Sequence, residues 1–131
     1  MMKSAAKFLL IVMVGSLLGC GKAEKPLYDQ VMDIHDEVMP KMNDLYKLRK
    51  GLQDSILHHP EMTASSKAEI EQTIVILDSA STSMMVWMRQ FDPPDQKDKK
   101  AFEKYMEGEL VKVKKMQEEV MSALERAKGQ N

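Results

Sequence analysis

The 131-residue chain carries 19 lysines and arginines against 20 aspartates and glutamates, a formal net charge of −1. That balance supplies no basic surface to recruit nucleic acid, and the interspersed signs read as solvated helix faces. A single cysteine, Cys20, excludes an internal disulfide, while 13 methionines are the compositional anomaly.

The chain opens with Lys3 and Lys7, followed by the uncharged run FLLIVMVGSLL from Phe8 to Leu18. About 11 apolar residues fit a secretory signal, and they fall short of the ~20 that a membrane span needs. Leu17, Leu18 and Gly19 then lead into Cys20. This stretch resembles the bacterial lipobox. The resemblance implies that residues 1–19 are a cleaved signal peptide and that Cys20 becomes the lipidated first residue of the mature protein. A second reading takes Gly19 and Gly21 as the small-x-small site of ordinary secretory cleavage. Lipidation disposes of a thiol that has no internal partner. At ~0.8 kcal/mol per buried CH₂, two or three acyl chains such as palmitate hold a protein firmly on a membrane. In that lipoprotein family an aspartate after the cysteine signals inner-membrane retention and acidic clusters signal surface export. Gly21 and the lone Glu24 match neither, which points to the outer membrane, facing the periplasm. Residues 20–26 form a short tether, since Gly21 to Pro26 reach at most ~20 Å when extended.

Residues 27–131 read as a helical domain. Without Lys3 and Lys7 the remaining chain holds 17 basic and 20 acidic residues, and 10 methionines follow Cys20. From Leu27 to about His58, apolar residues recur at steps of three and four through Val31, Ile34, Val38, Met42, Leu45, Leu48, Leu52 and Ile56, which predicts an amphipathic helix. Pro26 suits its first position, and Pro40 should kink it. Gly51 interrupts the pattern without ending it. After the break HHPEMTA, a Ser66–Glu69 capping box opens a second helix over about 66–91, with Ile70, Ile74, Leu77, Ser81, Met84, Met88 and Phe91 as its stripe. DPPD, Asp92 to Asp95, closes it. Asp95 is the expected cap of a third helix over about 96–128, striped by Phe102, Met106, Leu110, Val113, Met116, Val120 and Leu124. Three such helices with short links predict an all-α, up-down-up bundle, about 40–48 Å long at 1.5 Å per residue. Pairing of two bundles as a homodimer stays open.

Enzyme signatures are missing from the sequence: there is no phosphate loop, no G-x-G-x-x-G, no H-E-x-x-H, no G-x-S-x-G and no C-x-x-C-H. HDEVM at His35 to Met39 lacks the second histidine of a zinc helix. His58 and His59 show no evident acidic or hydroxyl partner. The expectation is a non-enzymatic protein without a cofactor.

Two constellations suggest binding. An antiparallel hairpin of the first two helices pairs His35 with Met88 and Met39 with Met84, close to Trp87. Thioethers and an imidazole suit Cu(I) or Ag(I), and an indole face attracts cations. Haem held between His35 and Met88 is a lesser reading. The same methionines also fit a compliant core, the simpler account of the pattern. Separately, Tyr28, Met32, Met39 and Tyr46 run along a flank of the first helix. Together with Trp87 they suit adaptable contacts with a protein partner in the envelope.

With HDEVMPKM and MMVWMRQF in view, the mature part resembles small uncharacterised Bacteroidota lipoproteins, some labelled viral A-type inclusion protein. That resemblance implies helix, lipid anchor and envelope location, and no catalytic residue.

Overall fold

A computed structural model describes residues 23–130. The expected signal peptide and the lipidation of Cys20 lie outside the described residues. Four helices follow in order: α1 (Leu27–Val38), α2 (Lys41–His58), α3 (Ala64–Gln90) and α4 (Lys99–Lys128). No strand occurs among the described residues, and no helix there is long and apolar enough to cross a membrane.

α1 and α2 are one pass bent at Met39 and Pro40. Pro40 has no N–H to give the Asp36 carbonyl, whereas the Met39 N–H still reaches His35 O at 2.9 Å. Both residues keep right-handed helical angles, so the chain bends without reversing. Gly51 sits inside α2, as the apolar pattern requires.

The side-chain pairs fix the direction of each pass. Tyr28 lies over Phe102 at 6.3 Å, and Gln117 Nε2 donates to Glu37 at 2.9 Å, so α1 and α4 run parallel. On α3, Trp87 meets Glu109 and Thr73 meets Arg126, so α3 and α4 run antiparallel. The fold is the expected all-α bundle of three passes, up, down and up.

Burial follows a heptad. The first pass buries Val31, Val38, Leu45 and Leu52, in phase across the Pro40 bend. α3 buries Ile70, Thr73, Leu77, Ala80, Met84 and Trp87, and α4 buries Met106, Glu109, Val113, Met116, Val120, Ala123 and Ala127, with Leu124 beside them. Alternating steps of three and four mark the knobs-into-holes geometry of coiled coils. This seam is turned from the expected stripes: Ala80 and Trp87 face the core where Ser81 and Met88 were expected to, and Glu109 takes the place of Leu110.

Two polar residues therefore occupy seam positions, and both are satisfied. Thr73 Oγ1 donates to the Glu69 carbonyl at 3.0 Å and accepts from Arg126 Nε at 3.0 Å. Glu109 accepts from the Trp87 indole at 2.6 Å and from Lys112 at 2.7 Å. A slip of α3 along α4 breaks the Trp87–Glu109 and Thr73–Arg126 bonds and leaves the buried indole N–H without its acceptor, so these two pairs favour one register.

The caps lie elsewhere than expected. Thr63, not Ser66, caps α3, accepting from the Ser66 N–H at 3.1 Å. Asp98, not Asp95, caps α4 through the Ala101 N–H at 3.1 Å. Asp95 caps only the turn before it, taking the Lys97 N–H at 2.9 Å. Pro26 stands one position ahead of the helix and not inside it.

Candidate functional site

The bend at Pro40 decides where a site forms. α2 packs on α3 and α4, whereas α1 packs on α4, and no Cα of α1 comes within 8 Å of one of α3. Beyond the bend, the first and second passes are thus parted, and a groove of about 320 Å³ lies between them, lined by Tyr28, Met32, His35, Trp87, Met88 and Phe91. His35 and Met88, levelled with each other by the hairpin pairing expected from sequence, both line this groove.

The aromatic residues give the groove a stiff wall. The Trp87 indole lies 6.0 Å from the His35 ring, tilted by 40°, and 5.1 Å from Phe91. Phe91 in turn meets Tyr105 edge-on at 6.0 Å, and the Tyr105 hydroxyl accepts the Asp92 N–H at 2.8 Å. Its N–H bonds Glu109 and its ring lies against Phe91, and together these contacts hold the Trp87 ring in place. It is buried, so it offers the groove a ring surface and offers solvent almost nothing.

His35 is about one-fifth exposed, and its Nδ1 lies 2.9 Å from Asp36 Oδ1. An ionised carboxylate only accepts, so the ring donates from Nδ1, and in the neutral imidazole that leaves the lone pair on Nε2. Met32 and Met88 are half-buried. The other two members of the expected metal set stand apart from this groove: Met84 is wholly buried in the seam, and Met39 is half-buried at the bend, packed against the core. Among the described residues no three His, Cys, Asp or Glu side chains converge as a metal-binding group.

The residues expected to meet a partner also divide. Tyr28 and Met32 belong to the α1/α3 groove. Tyr46 lies on a second groove, of about 710 Å³, between α2 and α3, with Ile56, Leu57, Ile74 and Val75 along it and Arg49, Lys50, Asp54 and Glu71 at its rim. There Tyr46 is 56% exposed, Leu57 75% and Val75 65%. Arg49 reaches across to Asp78 at 3.4 Å and stacks on the Tyr46 ring at 5.6 Å. Leu57 and Val75 were not expected as surface residues. The signal for Val75 was legible, since it lies off the α3 stripe.

The two loop histidines do have partners. His58 Nδ1 lies 2.7 Å from the Asp54 carbonyl and His59 Nδ1 3.0 Å from Glu61. The Glu61 carboxyl is held below its ordinary value, first by a backbone N–H and then by His59. Both histidines are exposed helix-end residues. No protein-family model matches this chain, and no curated protein or solved structure matches it either.

Proposed function

We propose that this protein is a lipid-anchored, non-enzymatic module of the cell envelope that binds a partner protein through the α2/α3 groove. Acyl chains on Cys20 hold it at the outer membrane, and the bundle faces the periplasm. The observation that carries the docking role is the trio Tyr46, Leu57 and Val75, three large side chains more than half exposed along one groove. Contiguous apolar surface left in water marks an interaction site. The occupant is an amphipathic helix of the partner, laid between α2 and α3 as a further helix of the bundle. The rim charges, Arg49, Lys50 and Asp54 on the α2 wall and Glu71 on the α3 wall, orient it.

Position along the rod supports this reading. The six residues Gly21 to Pro26 keep the start of α1 within ~20 Å of an anchored Cys20. Leu57 lies thirty residues beyond Leu27, about 45 Å further along at 1.5 Å per residue. The groove then stands well clear of the lipid surface, where an envelope protein can reach it.

The test places a photo-crosslinking residue at Val75, or at the equally exposed Val111 of α4, in the native host. A crosslink to one partner from Val75, absent from Val111 and lost with Leu57→Asp, is the expected result. A crosslink only to a second copy of this chain replaces the partner with a homodimer. No crosslink at either position removes the docking role. If Cys20→Ala protein still sediments with membranes, the anchor is wrong.

A further inference from the structure

We propose that the α1/α3 groove is a binding site for a soft monovalent cation, Cu(I) or Ag(I), with Met32, His35 and Met88 as ligands and Trp87 as its wall. The inference is independent of the docking groove, which lies at the other end of the bundle. It also differs from the ligand set expected from sequence, since Met32 replaces the buried Met84 and the displaced Met39.

The donor chemistry comes first. Two methionines and one histidine line a single groove, and thioethers select soft, low-valent ions over hard ones. Met32 and His35 are three positions apart on α1 and therefore share a face. Met88 faces them from α3. Calcium, magnesium and zinc want carboxylates, thiolates or several imidazoles, and no such group gathers among the described residues.

The second shell is in place. Asp36 accepts a hydrogen bond from His35 Nδ1 at 2.9 Å, which in the neutral ring favours the tautomer that leaves Nε2 free to ligate. A carboxylate on the far nitrogen of a ligating histidine also raises its basicity. Trp87 supplies the third element. Its ring plane is fixed by Glu109 and Phe91, and it lies 6.0 Å from the imidazole. An ion on Nε2 shares the groove with the indole face, whose quadrupole attracts cations within about 6 Å. Room for the ion exists because the backbones of α1 and α3 stay apart while His35 and Trp87 meet across the gap.

The protein carries its own reporter, because Trp87 is the only tryptophan in the chain. The full-length chain, in detergent and with Cys20→Ser to remove the competing thiol, is titrated with Ag(I), and with Cu(I) under ascorbate. The expected result is quenching of Trp87 fluorescence that saturates at one ion per chain. Met32→Leu and Met88→Leu preserve volume, and each should weaken binding by about tenfold or more, as should His35→Ala. Met85→Leu, on an exposed position of α3 outside the groove, should leave it within about twofold. Unquenched Trp87 fluorescence at saturating metal overturns the proposal. So does unchanged affinity in Met32→Leu, a rim substitution that leaves the core intact, and so does Zn(II) binding as tight as Ag(I).

Discussion

The Trp87–Glu109 pair offers the sharpest test of how this bundle holds its register. Both side chains are over nine-tenths buried, and the indole donates to the carboxylate at 2.6 Å. A hydrogen bond to a charged group contributes about 1.5–3 kcal/mol. Trp87→Phe removes that bond, leaves one carboxylate oxygen without its donor and trims the ring, so it should cost about 3–5 kcal/mol. Glu109→Leu orphans the indole N–H but also removes the burden of a buried charge, so a loss of about 1–2 kcal/mol is expected. The double variant replaces both partners by apolar groups, and its loss should fall short of the two single losses combined by about 1.5–3 kcal/mol. Urea unfolding followed by far-ultraviolet circular dichroism measures all four proteins, since Trp87→Phe removes the fluorescence signal. Losses that add to within about 0.5 kcal/mol refute the pairing as a source of stability.

Leu77 is 1% exposed, so Leu77→Ala should cost about 2–5 kcal/mol in the same unfolding assay. Leu57→Ser, at a site 75% exposed, should move stability by less than about 0.5 kcal/mol. Thr63→Ala and Asp98→Ala should each lose about 1 kcal/mol of cap energy, and thermal melts should show smaller losses for Ser66→Ala and Asp95→Ala. The Lys112 ammonium is held above its ordinary value of 10.5, first by its hydrogen bond to Glu109. Its contribution is therefore complete below that ordinary value and is lost as pH rises through the higher folded value. An alkaline titration of stability should show this step in the parent and not in Lys112→Met.

Much of the architecture was legible because the helices are long and strongly periodic. Pro40 announced its bend through a missing donor, and the Leu52 and Ile56 positions carried the helix past Gly51. The caps were misplaced because several short polar residues precede each helix. Thr63 competes with Ser66, and Asp98 with Asp95, and only the backbone decides which oxygen reaches an N–H. Glu109 was legible only as another charged position on a solvated face, since nothing local says that an indole from a different helix will meet it. The groove depends on a tertiary fact too. A straight hairpin levels His35 with Met88 and Met39 with Met84; the fold lines one groove with the first two and leaves Met84 in the core and Met39 packed against it. Met32 was read as a partner contact because its place in the groove comes from α1 lying on α4.

The last helix is the keystone of the molecule. α1 rests on α4 and touches α3 only through side chains across a gap, so α1, made before the other three helices, must wait for the thirty residues of α4 before Val31 and Val38 can leave water. A chain halted at Gln90 can close only the α2–α3 hairpin, which by itself is a marginal structure. Synthesis order and assembly order are thus opposed: the helix made first among the four finds its main packing partner only when the fourth has been made.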